Sequence, residues 1–196
     1  MPIQAPNADH VKKIARSFGM SLSDADAASF AGLLKGVAAS YDRLDAMVEP
    51  KPEVKYPRST GAQPSADENP YNAWAWKSTI KGAPRGILAG KKIAVKDNVC
   101  VAGLPMRNGS RVLENYVPDV DATAVARILD AGGTIVGKTV CEDLCFSGGS
   151  HTSKPLPVKN PHKPTHSAGG SSSGSAVVVS VGEADAALGG DQGGSI

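Results

Sequence analysis

The chain has no apolar run of membrane-spanning length, and its opening residues, "MPIQAPNADHVKKIA", lack the basic-then-apolar pattern of a secretory signal. Those absences argue against a membrane-spanning or exported protein. Charge of one sign is not in excess either. The net charge is +2, with no long basic stripe of the kind nucleic acid needs. Cysteine is scarce: Cys100, Cys141 and Cys145 cannot all pair within one chain, which fits a reduced, cytoplasmic setting. No CxxC pair is present, and the spacings of Cys141, Cys145, His151, His162 and His166 match no common zinc pattern. The cysteines are therefore read as small buried hydrophobes, and no metal is expected.

What is present falls into three parts. Residues 1–48 read as a helical hairpin. Val11, Ile14, Ala15 and Phe18 follow the i, i+3, i+4, i+7 spacing, and Gly19 is a stop. Ser21 or Ser23 caps a second helix whose Phe30, Leu33, Leu34, Val37, Tyr41 and Leu44 keep the 3.6 period. Such an apolar face needs a core or a partner protomer to cover it, because two short helices are marginal alone. Residues 49–70 read as a linker, interrupted by Pro50, Pro52, Pro57, Pro64 and Pro70. From residue 71 the pattern changes to α/β. "GKKIAVKDNV" is a strand running into a polar turn, "DATAVARILDAGG" an amphipathic helix closed by glycines, and "TIVGK" another strand. The stretch from Phe146 to Ser175 reads as loop.

Two motifs are ambiguous by their letters. "GGTIVGKT", Gly132 to Thr139, matches a phosphate loop, but it follows a helix and its variable positions are Thr, Ile and Val. Those residues favour a strand over a cradle of free N–H groups, so a nucleotide site is rejected. "AGGSSSGSAVVVS", Ala168 to Ser180, is either a flexible spacer or active-site backbone. Its valines favour a strand, while Ser175 and the later apolar spacing permit a helix; composition leaves this open. A serine–histidine–acid triad is cheap to propose among so many serines and four histidines, and is set aside.

One combination has a chemical logic: Lys96 at the end of a strand, "GGSSSGS", and "GGDQGGSI". A serine needs a base to become a nucleophile, and a lysine serves if burial keeps it neutral. Glycines before a serine let consecutive N–H groups converge on a developing oxyanion.

Those residues, with "KDNVCVAGLPMRNGS" and "AGGTIVGKT", resemble the amidase signature family from about Glu68 to Ile196, and within it the nitrile-pathway amidases of aliphatic and aromatic amides. The resemblance implies a mixed β-sheet flanked by helices, with an N-terminal helical segment like that subgroup's. It implies Lys96 as base, Ser171 as a relay on a cis peptide after Gly170, and Ser195 as nucleophile. The main-chain N–H groups of Gln192, Gly193, Gly194 and Ser195 would hold the oxyanion, and Asp191 would organise their turn. No cofactor is implied, the partner is a small-molecule amide, and the full-length protein would be a homodimer. The resemblance also puts a helix at about Ser173 to Val181 and a strand at "AALGG". Ser173 stands where relatives carry glycine, so it would object to a positive φ there. Relatives continue through a long C-terminal half that supplies further strands and much of the acyl pocket. The expectation is an N-terminal portion, inactive by itself. The alternatives are an aryl acylamidase, a carbamate hydrolase, the A-subunit of a glutamyl-tRNA amidotransferase, or a non-catalytic fragment acting only in association.

Overall fold

A computed structural model describes residues 3–196. The chain divides into two compact units, one ending at Pro50 and the other running from Lys51 to Ile196.

The first unit is a pair of helices, α1 (Ala8–Ser17) and α2 (Asp24–Asp45). Each begins on a side-chain cap: Asn7 Oδ1 accepts from the His10 N–H at 2.9 Å, and Ser23 Oγ from the Asp26 N–H at 3.1 Å. Gly19, at φ +72°, ends α1 in the left-handed conformation that glycine adopts without cost. Small residues make the contact between the helices. Val11, Ala27 and Ala31 form its core, with Ala8 and Leu22 packed against them. The large apolar row of α2 does not take part: Phe30, Leu33, Val37, Tyr41 and Leu44 are all exposed. The 3.6 period located the helix, but alanines rather than the bulky residues close the hairpin. None of the described helices is long and apolar enough to cross a membrane.

The second unit is built on a four-stranded mixed sheet of β1 (Trp74–Lys81), β2 (Lys92–Lys96), β3 (Thr134–Thr139) and β4 (Ala186–Leu188), in the order β1-β3-β2-β4. β2 runs parallel to both β3 and β4, and β1 lies antiparallel against β3. The crossovers are α3 (Thr123–Asp130), between β2 and β3, and α4 (Ser173–Ser180), between β3 and β4.

Alternation along β2 splits the core into two layers. Ile93 and Val95 pack with Val125, Leu129 and Ile135 in a cluster that includes α3. Ala94 joins Trp74, Val140, Val177 and Val178 in the cluster that includes α4. The letters "GGTIVGKT" run into β3, as the β-branched residues require.

The valine run is helical. Burial decides against local β-propensity: Val177 and Val178 lie in the core, and the preceding loop must turn back over the sheet before α4 can start. Gly174 lets that helix approach closely, since a Cβ there would lie 2.3 Å from the Ala73 carbonyl oxygen and 2.7 Å from Val140 main-chain atoms. Ser173 is the first residue of α4 and is not among the positive-φ residues, so the serine in place of glycine meets no backbone objection. The strand β1 had no counterpart in the sequence reading.

Candidate active site

The site lies where β2 ends. By the two-residue period Lys96 shares the face of Ala94, the face that α4 covers. It is fully buried, and its Nζ donates to Ser171 Oγ at 2.7 Å and to the Gly190 carbonyl at 2.9 Å. Ser171 is also fully buried and follows a cis peptide from Gly170. Two residues fix this turn. The Glu142 N–H donates to the Ser171 carbonyl at 3.2 Å, and a Cβ at position 170 would lie 2.0 Å from the Gly149 carbonyl oxygen. Glycine is required there by space alone.

Ser195 joins the pair through the main chain: its carbonyl accepts from the Ser172 N–H at 3.1 Å. Among the described residues its hydroxyl makes no hydrogen bond, and Gln192 is exposed and makes none either. Ser172 grips Gly190 from both sides, its hydroxyl donating to the carbonyl and accepting from the N–H, each at 3.3 Å. The letters Gly170 to Gly174 also fit GxSxG with Ser172 at the centre, but that hydroxyl is spent on the main chain and has no histidine partner.

The turn before Ser195 is organised by Asp191. Its carboxylate accepts from the N–H groups of Gly193 at 2.8 Å, Gly194 at 2.5 Å and Ile196 at 3.1 Å. Donors from Gly194 and Ser195 foremost hold the carboxyl down to about 2. The Gly193 and Gly194 donors expected to face an oxyanion are therefore gathered in one turn, and are engaged by this side chain. A cleft of about 320 Å³ opens beside them, lined by Gly148, Ala168, Gly170, Ser173, Gly194 and Ser195. A larger hollow of about 740 Å³, near Gln63, Trp74 and Lys77, includes none of Lys96, Ser171 and Ser195 in its walls. Volume is the poorer guide here, and the buried lysine–serine contact the better one.

Several supporting residues gave little signal in the sequence. Asp97, next to Lys96, accepts from the Arg107 and Asn108 N–H groups at 2.9 and 3.1 Å, and from Lys138 Nζ at 3.0 Å. Burial pushes its carboxyl up, opposed by the Lys138 charge and these donors. Glu142, fully buried, accepts from Ser153 Oγ at 2.7 Å, from the Thr152 N–H at 3.2 Å and from the Thr152 hydroxyl. Thr139 and Ser175 share a hydrogen bond of 2.7 Å, and Ser175 Oγ donates to Leu188 O at 2.9 Å, tying β3, α4 and β4 together. One clue was available: Lys138 is the charged residue of β3, beside the apolar Ile135 and Val136, and a buried lysine needs a partner.

The Amidase family model matches residues 61–196. An enantioselective amidase of Rhodococcus rhodochrous is 46% identical over 193 residues, 97% of this chain and 37% of that protein. The A-subunit of the glutamyl-tRNA(Gln) amidotransferase of Haloarcula marismortui is 49% identical over 126 residues, 64% of this chain and 30% of that one. Among solved structures, the corresponding A-subunit from Thermotoga maritima aligns with a TM-score of 0.57 and 34% identity, over 62% of this chain and 27% of its own. An amidase crystal structure aligns with a TM-score of 0.52 and 39% identity, over 57% of this chain and 26% of its own. The chain thus spans roughly a third of the curated relatives it matches. With the mixed sheet, the cis Gly170–Ser171 turn and the buried Lys96–Ser171 contact in place, the chain belongs to the amidase signature family.

Proposed function

We propose that the gene product carrying this chain hydrolyses carboxylic acid amides to the carboxylate and ammonia through an acyl-enzyme. The observation that supports this most is the 2.7 Å contact between Lys96 Nζ and Ser171 Oγ, both fully buried. In the neutral amine this contact runs the other way, with the Ser171 hydroxyl donating to the Nζ lone pair, while an N–H keeps the Gly190 carbonyl. Lys96 then takes the proton of Ser171 as Ser171 takes that of Ser195, and Ser195 Oγ adds to the amide carbonyl carbon. The relay returns the proton to the leaving nitrogen as the C–N bond breaks. Water, deprotonated along the same route, then cleaves the ester.

The developing oxyanion is assigned to the N–H groups of Gln192, Gly193, Gly194 and Ser195. Gly193, Gly194 and Ser195 have to share with, or leave, the Asp191 carboxylate; an oxyanion carries the same charge and competes for the same donors. One such donor is worth about 3 kcal/mol in comparable sites.

Substrates are taken to be aliphatic and aromatic carboxamides, the products that nitrile hydration supplies. The likeness to the enantioselective amidase extends over 97% of the chain, N-terminal helices included, and favours this over transfer of a glutamine amide, where the likeness covers 64% at 49% identity or 81% at 38%. A homodimer is part of the proposal, with the exposed Phe30, Leu33 and Tyr41 of α2 as the surface that would form it. The test is ammonia release from propionamide and benzamide by the gene product. Turnover of both, with glutamine inert, is expected. Glutamine hydrolysis with no turnover of either amide would overturn the choice.

A further inference from the structure

The fold gathers two thiols beside the lysine–serine pair, and the proposed reaction uses neither. Cys141 follows β3 and is buried, whereas Cys145 is partly open. Between them the chain makes one turn of 3-10 helix, Asp143–Cys145, closed by the Cys145 N–H donating to the Glu142 carbonyl at 2.9 Å. Leu144 and Cys145 have φ values of +49° and +60°, a conformation uncommon for residues with a Cβ. This turns Cys145 toward Asn108, which Cys141 also meets. Both sulfurs meet the same atom, Asn108 Oδ1, at 3.6 Å from Cys141 and 3.2 Å from Cys145. Asn108 is itself held by its N–H on Asp97, the residue after Lys96.

We propose that Cys145 is a modification site for hydroperoxides, with Cys141 as its resolving thiol. Three observations carry it. Cys145 is itself only partly buried in this chain, between the exposed Leu144 and Phe146. The second thiol is already in place, its sulfur on the same Asn108 oxygen as the first. The surroundings also favour the reactive ion at Cys145 only. Its thiol is held down to about 6, the neighbouring Cys141 being the largest cause, while the Cys141 thiol is pushed up by Cys145 first and then by burial. When Cys145 ionises, the Asn108 amide must turn so that its Nδ2, not Oδ1, faces the sulfur.

The chemistry balances in two steps. The Cys145 thiolate attacks the distal oxygen of the hydroperoxide; the O–O bond breaks, a sulfenic acid forms, and the displaced alkoxide takes a proton to leave as alcohol, or as water from hydrogen peroxide. The Cys141 sulfur then attacks the Cys145 sulfur. An S–S bond forms, the S–O bond breaks, and the hydroxyl leaves as water with the Cys141 proton. The hydroperoxide is reduced by two electrons and the two thiols are oxidised by two.

Cys100 serves as the internal reference, being a partly buried thiol next to Met106. In the gene product at neutral pH, limiting iodoacetamide is expected to alkylate Cys145 about two- to threefold faster than Cys100, since a higher thiolate fraction outweighs the weaker nucleophilicity of a low-pKa thiol. Hydrogen peroxide should leave the tryptic peptide beginning at Thr139, which holds both cysteines, two hydrogens lighter and recoverable with dithiothreitol. In Cys141→Ser the reaction should stop at a sulfenic acid that dimedone traps on Cys145. Equal alkylation of Cys145 and Cys100 would overturn the proposal. So would a peroxide-treated peptide of unchanged mass, or dimedone found on Cys100 in place of Cys145.

Discussion

Lys96 and Ser171 are separated by 75 positions of sequence and by 2.7 Å between Nζ and Oγ, with both side chains shut off from solvent. A hydrogen bond this short between a buried amine and a buried hydroxyl needs both main chains to be fixed independently. The sheet fixes one, and the Gly170–Ser171 turn fixes the other.

If this contact is the proton route, Lys96→Met should lower ammonia release from benzamide by about three orders of magnitude, the usual range for a lost general base. Methionine keeps much of the buried volume, so the far-ultraviolet circular dichroism should hold. Ser171→Ala should lose a comparable factor, and Ser195→Ala all measurable turnover. A Lys96→Met protein with unchanged rate and intact fold would end the assignment.

The turn around Asp191 has its own pH dependence. The carboxyl is depressed from an ordinary 3.8 to about 2, so the folded turn favours its ionised form. The stabilisation is therefore fully present above about pH 4 and is lost as pH falls through 2. Amide resonances of Gly193 and Gly194 should report a midpoint near 2. A midpoint near 4 would show that these N–H groups do not hold the carboxylate.

Two glycine substitutions should move stability in opposite directions. Gly174→Ala drives a methyl group into the Ala73 carbonyl and the Val140 main chain, and should cost several kcal/mol, at or above the usual overpacking range of about 1–3 kcal/mol. Gly36→Ala lies within α2 with nothing near its added methyl, and should stabilise by about 0.5–1 kcal/mol. Urea unfolding compares the two directly.

Lys138→Met should be costlier than its neighbours suggest. It leaves the Asp97 carboxylate buried, with only main-chain donors, and breaking such a pair costs about 3–5 kcal/mol. Adding Asp97→Asn removes the orphaned charge and should recover a good part. A single-variant loss within about 0.5 kcal/mol, the level of a surface change, would show that the pair contributes nothing.

The sequence showed most clearly what depends on local pattern. The spacing of Val11 and Ala15, the serine before α2, and the β-branched letters of "TIVGK" each carry their own periodicity or cap. The valine run could not be read locally, because its conformation is decided by what Val177 and Val178 bury against. β1 stayed hidden for a related reason. "WAWKSTIK" mixes aromatic and charged residues, and its burial alternates only in part. Resemblance singled out Lys96 and Ser171, yet nothing in the letters shows that Gly190 and Ser172 clasp each other beside them. Long-range polar partners such as Lys138 with Asp97 leave only an oddity, a charged residue within β3.

The two-residue alternation of β2 has a consequence for how this protein fails. Lys96 is also a rung of the ladder, paired with Thr139, and its neighbour Val95 belongs to the opposite core layer. A one-residue slip in the pairing would turn Lys96 into that apolar layer and Val95 toward Ser171. Misregistered molecules would thus lose the Lys96–Ser171 contact as well as stability. If Lys96 and Ser171 carry the proposed proton route, turnover per molecule of the gene product then doubles as an assay of folding fidelity, falling as the fraction of slipped chains rises.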